Sequence, residues 1–138
     1  HGKLSDLCMD GPDSLLALEA GREWKRIYRV YLAGATNLQR VSSVVSGPGG
    51  KLESLTAQEL AGHGIVPVGK ELVFDLTQMG VTEEKVEGID RIDEKFIALI
   101  TDNDFGLAGA LDHDNGIALE KESEKFPALY FLPFHARK

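Results

Sequence analysis

Apolar residues fall along this chain in short runs cut by turn formers. From Val86 to Gly106 it reads VEGIDRIDEKFIALITDNDFG. A half-buried run, Val86-Glu87-Gly88-Ile89, leads to a turn at Asp93-Glu94. A second run climbs from Lys95 to Thr101 and stops at Asp102-Asn103-Asp104, closed by Phe105-Gly106. Runs of this length, rich in β-branched and aromatic residues, predict two strands joined by a turn.

The same plan recurs along the chain. Lys3 to Met9 predicts a strand, and Asp10-Gly11-Pro12-Asp13 a turn. Ser14 to Glu19 predicts a second strand, and Gly21 to Lys25 a polar bend carrying Trp24. Arg26 to Leu32 predicts a third, with Tyr28, Val30 and Leu32 on one face and Arg29 and Tyr31 on the other. Gly34 to Gly50 reads as irregular, with Val41, Val44 and Val45 as a brief edge strand. Leu52 to Leu60 has helical spacing, with Gly62 as a stop. Glu71 to Leu76 and Ala128 to Phe134 read as further strands, with Pro133 at an edge.

Two portions match. Lys3-Leu4-Ser5-Asp6-Leu7 aligns with Lys85-Val86-Glu87-Gly88-Ile89, and Leu16-Ala17-Leu18 aligns with Ile97-Ala98-Leu99, one residue shorter across the turn. A further strand follows in each half. A recurring strand–turn–strand–loop–strand unit predicts repeated antiparallel sheets. Sheets that cannot bury both faces alone stack radially, so the expected fold is all-β, a partial β-propeller with at most one short helix. Blades take about 40–50 residues and a ring needs roughly 4–8. The 138 residues therefore supply about two to three blades, as a single domain over residues 1–138. The remaining blades come from a longer protein or a second chain. A self-contained β-sandwich or barrel is the competing architecture.

The net charge of −7 argues against a nucleic-acid partner, which requires clustered Lys and Arg. No apolar run reaches the length of a membrane span, so no membrane partner is expected. Cys8, the only cysteine, forms no internal disulfide and reads as a buried thiol. The chain opens on His1 without Met and shows no signal peptide, the expectation for a processed chain or a fragment.

Asp102-Asn103-Asp104 places three oxygen-bearing side chains at a strand end. Ca²⁺ takes several oxygens at about 2.3–2.6 Å, and an Asx turn explains the same residues without a metal. Asp112-x-Asp114-x-Gly116 opens like a calcium loop, but Ile117 stands where that loop needs Gly and Ser123 where it needs Glu, which leaves a surface loop. Glu87 reads as a ligand beside the close approach that Gly88 permits, or as a solvated edge charge. Glu19 with Arg22 nearby reads as an ion pair of small worth. His63, between two glycines, reads as an exposed residue without a role, and His113 and His135 lack a partner at ligand spacing. No HExxH, CxxC, GxSxG or phosphate-loop pattern occurs. Trp24, Tyr28 and Tyr31 read as packing residues.

Lys85-Val86-Glu87-Gly88-Ile89, followed by a strand and then Asp102-Asn103-Asp104-Phe105-Gly106, resembles the phytase-like β-propeller family named for esterase-like activity of phytase. Leu15-Leu16-Ala17-Leu18-Glu19, Arg26-Ile27-Tyr28-Arg29-Val30 and Gly34-Ala35-Thr36-Asn37 are similar to that family's preceding portion. The resemblance runs from about Leu4 to Phe131, and it implies the C-terminal part of such a domain. One departure is Ala20, which stands where the family usually carries Arg after the equivalent of Glu19.

The resemblance implies a metal-assisted phosphate-ester hydrolase, exported to an extracellular or periplasmic location, acting on a small phosphorylated substrate. It carries catalytic roles to Glu87, Asp102 and Asp104, and Ca²⁺ ligation to Glu87, Asp102, Asn103 and Asp104. Two other readings stand beside it: a non-catalytic propeller module that presents loops to a protein partner, and a fragment whose carboxylates only form turns.

Overall fold

The computed structural model describes residues 2–41, 52–83, 85–102, 111–112, 117–118 and 126–134. Two antiparallel sheets dominate. The first is a meander of β1 (Lys3–Gly11), β2 (Ser14–Ala20), β3 (Lys25–Tyr31) and β4 (Gly69–Asp75), paired in that order. β5 (Val86–Arg91), β6 (Phe96–Thr101) and β9 (Leu129–Pro133) form the second. A two-stranded antiparallel pair, β7 (Leu111–Asp112) with β8 (Ile117–Ala118), lies in sequence between β6 and β9. His113, Asp114, Asn115 and Gly116 lie outside the described residues, as do Val44, Val45 and Ser123.

The sheets pack face to face on one core. Leu16, Leu18 and Ile27 from the first sheet meet Val86, Ile89, Ile97, Leu99 and Leu132 from the second, with Leu76, Val81 and Phe134 filling the ends. At their edges β1 and β5 lie side by side and run the same way: Lys3 reaches Glu87, Asp6 accepts from the Ile89 N–H, and Asp10 meets Arg91. Innermost strands that run together, with meanders stacked behind them, are the arrangement of neighbouring propeller blades. Among the described residues no closed barrel forms; the architecture is a partial propeller. Among the described residues no helix is long and apolar enough to cross a membrane.

β-bulges decide which side chains enter the core. Val86 pairs with Thr101 and Gly88 with Ile100, so Glu87 is an extra residue on β5. An extra residue reverses the alternation beyond it. Val86 and Ile89, three apart, are consequently both buried. Matching irregularities on β1 fall at Ser5 and Asp10.

One expectation needs correction and another is sharpened. On β3 the two expected faces hold, and the core-facing one is that of Lys25, Ile27 and Arg29, while Leu32 beyond the strand is exposed. The charged residue turns inward because Asp10 awaits it: Arg29 Nε lies 2.5 Å from Asp10 Oδ2. The expected helix from Leu52 to Leu60 is divided into a 3-10 turn, Leu52–Ser54, and α1 (Ala57–Gly62). Thr56 separates them as an extended N-cap whose hydroxyl accepts from the Glu59 N–H while the Glu59 carboxylate accepts from the Thr56 N–H, a capping box that starts the helix afresh. His63 caps its C-terminus through its backbone N–H.

Cys8 is a free, half-buried thiol, pushed up to about 11 by burial first and then by the charges of Asp90 and Asp6. A thiol so rarely ionised is a poor nucleophile.

A basic cleft as candidate functional site

At the end where β1 and β5 begin and β2 finishes, the sheets part around a cleft of about 500 Å³. Lys3, Arg22, Lys85 and Glu87 line it, with Gly2, Gly21 and two small apolar neighbours between them. Three cations and one carboxylate therefore line one recess of a chain whose net charge is −7.

Each side chain is placed by a local cause. Lys3 opens β1, and its ammonium lies 2.8 Å from Glu87 Oε1, across the junction between the sheets. Lys85 immediately precedes β5, and its carbonyl accepts from the Asp102 N–H at 3.1 Å. Arg22 sits in the bend between β2 and β3, held closed by the Gly21 N–H donating to the Trp24 carbonyl at 2.7 Å. The Trp24 indole lies flat against that bend. A Cβ on Gly2 would stand 2.5 Å from its ring, and one on Gly21 would collide with it as well. Only residues without a side chain admit Trp24 here, and Arg26 stacks over the ring 5.2 Å from its centre.

Glu87 lines the cleft. Asp102 is exposed at the end of β6, one step past the Val86–Thr101 pair. Backbone pairing therefore brings Glu87 and Asp102 to the same end of neighbouring strands. Asn103 and Asp104 lie outside the described residues. Glu19, expected near Arg22, bonds Lys70 of β4 instead, at 2.5 Å. The close approach expected at Gly88 comes from within: Ile100 Cγ2 would lie 2.6 Å from a Cβ there.

Ca²⁺ takes about six to eight oxygens. Among the described residues no three His, Cys, Asp or Glu side chains gather closely enough to hold a metal. An ammonium already occupies one oxygen of Glu87. The described residues thus do not fit calcium, and the calcium expectation rests on Asn103 and Asp104.

A polar cluster that the sequence did not point to joins β9 to the segment before β5. The Tyr130 hydroxyl donates to Glu83 Oε1, Lys25 is buried, and Glu83 Oε2 is buried without a hydrogen-bond partner among the described residues. The Tyr130 bond, helped by the Lys25 charge, holds the Glu83 carboxyl below its ordinary value. A lowered carboxylate stabilises the fold above its unfolded pKa of about 4.5, and that contribution disappears as pH falls through the folded value. Tyr130→Phe is therefore expected to flatten the acid limb of a stability–pH profile, read by urea denaturation from pH 6 to about pH 3.

A family model for phytase-like proteins, described as esterase-like activity of phytase, matches residues 1–105. The chain belongs to the phytase-like family. The match takes in both sheets as far as β6, all eight cleft-lining residues and the Asp102-Asn103-Asp104 stretch. This phytase-like chain has no match among curated proteins or solved structures.

Proposed function

We propose that the cleft binds the phosphate of a small phosphorylated substrate, and that the chain serves a phosphate-ester hydrolase. The observation that carries this reading is the convergence of Lys3, Arg22 and Lys85 on one recess of an acidic chain. Guanidinium and ammonium groups make strong charge-assisted bonds to phosphate oxygens, the guanidinium in a two-pronged fashion. Family membership supports the same substrate class.

Hydrolysis moves a water oxygen onto phosphorus, breaks the ester P–O bond and hands a proton to the departing alcohol. Phosphoryl transfer depends above all on positioning and on neutralising charge over the phosphate oxygens. Lys3, Arg22 and Lys85 supply that charge. In this reading Glu87, the carboxylate in the lining, takes the proton of the attacking water once a phosphate has drawn the Lys3 ammonium away from it. Asp102, at the same end of the neighbouring strand, is a further acidic group.

Titration with inorganic phosphate and with an aryl phosphate tests the reading by calorimetry and by release of the coloured alcohol. Arg22→Ala and Lys3→Ala are each expected to weaken phosphate binding roughly tenfold or more, the loss of one charge-assisted bond worth about 1.5–3 kcal/mol. Glu87→Gln should retain phosphate binding and lose turnover. If the full chain takes up no phosphate, the cleft has another role. If it binds phosphate and cleaves no ester, the hydrolase reading fails and a binding module remains.

A further inference from the structure

Two segments far apart in sequence bring cations to the cleft. The bend at 21–24 carries Arg22, and the stretch at 81–86 carries Lys85. A series of bonds joins the two. Lys25 follows the bend and pairs with Ala20, itself in the lining. Its N–H donates to the Thr77 hydroxyl at 2.9 Å, and its carbonyl accepts from the Leu76 N–H at 2.9 Å. The Val81 N–H donates in turn to the Leu76 carbonyl at 3.0 Å. Val81 and Val86 are buried at the two ends of the second stretch, and the Lys85 carbonyl between them accepts from the Asp102 N–H. Within that stretch the Glu83 carboxylate accepts from the Tyr130 hydroxyl of β9. The charge of buried Lys25 acts on the same carboxylate.

We propose that Glu83 is a positioning residue for the cleft: through Tyr130 and Lys25 it sets where Lys85 stands relative to Arg22. The inference rests on the phosphate reading above. Glu83 is not among the lining residues, so it acts through its neighbours and not on a ligand. On one side of Lys85 the chain is fixed by Val86 in the core; on the other it is fixed by the Glu83 side chain. One Glu83 oxygen is buried without a hydrogen-bond partner among the described residues. A carboxylate that gives up hydration in this way is a poor choice for packing alone, where an apolar side chain serves better. Placement supplies the missing reason. A phosphate gripped by two cations binds best at one separation, because charge-assisted bonds weaken steeply once distance and angle depart from their optimum.

A double-mutant cycle, read by calorimetric titration of the full 138-residue chain with inorganic phosphate, tests it. Glu83→Ala is expected to weaken phosphate binding roughly three- to tenfold, the range of coupling within one bonded network. In a Lys85→Ala background the same substitution should weaken binding little further, because a separation has no meaning once one of the two cations is gone. Its effect on urea unfolding should be equal in both backgrounds, which sets placement apart from general loosening. Glu83→Gln, whose side-chain carbonyl can still accept from Tyr130, should recover part of the affinity. Tyr130→Phe removes the bond alone and takes the place of Glu83→Ala if that variant does not fold. Wild-type affinity in Glu83→Ala and Tyr130→Phe overturns the proposal. So does a loss of undiminished size in the Lys85→Ala background, which makes Glu83 a structural residue only. A wild-type chain that takes up no phosphate is a different failure: it removes the phosphate reading, and this inference with it.

Discussion

Asp10→Ala is expected to destabilise the chain by about 3–5 kcal/mol, the cost of stripping the counter-ion from buried cations. Asp10 joins the sheets at the end opposite the cleft. Its carboxylate meets Arg29 of β3 at 2.5 Å and Arg91 of β5 at 3.3 Å, with side-chain exposures of 6%, 8% and 20% for Asp10, Arg29 and Arg91. Both guanidiniums also lie over the Phe134 ring, 5.4 and 5.6 Å from its centre. Burial is the largest single influence and works against the charge on Arg29, but the bonds and charges of Asp10 and Tyr31 together outweigh it. Removal of the carboxylate leaves two cations facing one ring in a space that water hardly enters. A typical domain is stable by only about 5–15 kcal/mol, so the loss is a large share of the total. Chemical denaturation of wild type, Asp10→Ala and Asp10→Asn measures it, and Asp10→Asn should fall between the other two. Added salt should change the difference little, since buried pairs are weakly screened. A loss below about 1 kcal/mol, the range of a surface pair, would contradict the clamp.

Trp24→Ala should act on stability and on the cleft together. The indole is half-buried, so its removal costs less than the roughly 3–5 kcal/mol of a fully buried Trp→Ala change; about 2–3 kcal/mol is expected. The larger consequence is positional. Gly2 and Gly21 lie against the ring, and they flank Lys3 and Arg22 in the chain. Without the indole the two cations lose their fixed spacing, and phosphate affinity should fall at least as far as in Arg22→Ala. Trp24→Phe retains a flat ring and should recover most of the binding. Unchanged phosphate affinity in Trp24→Ala would mean that the bend holds its shape without the ring.

The strands were legible in the sequence because their apolar runs, LLAL in β2 and FIALI in β6, sit between unmistakable turn formers. The repeat was legible too, since β1 and β5, then β2 and β6, occupy corresponding places in successive sheets. Facing was harder to read. Alternation divided β3 into its two faces without saying which one enters the core, and a bulge has no compositional signature, so nothing gave a reason for Val86 and Ile89 to share a side. The triplets Leu16-Ala17-Leu18 and Ile97-Ala98-Leu99 match by residue type, yet their outer members face each other across the core. Rotated blades look the same way around a ring, so the correspondence in space is displaced by one residue, with Leu15 and Ala17 standing for Ile97 and Leu99.

The cleft was invisible for a different reason. Lys3, Arg22 and Lys85 lie far apart along the chain, and only the side-by-side run of β1 and β5 gathers them. The one available signal was that Lys3 and Lys85 begin the two matched segments. Glu87 was singled out from the sequence and does line this recess. Its Lys3 partner could not be foreseen without the neighbouring strand.

The excursion from Leu32 to Val68 separates β3 from the strand it pairs with. It is tied back at its ends, where the Thr36 N–H donates to the Val66 carbonyl at 2.9 Å and the Val66 N–H to the Thr36 hydroxyl at 2.8 Å. β1, β2 and β3 meet through tight connections, whereas β4 must wait for a distant part of the chain to return. Such closure slows assembly more than it weakens the product, each doubling of length adding only about 0.6 kcal/mol. The order of events during folding is therefore written into the first sheet, three strands early and the fourth late.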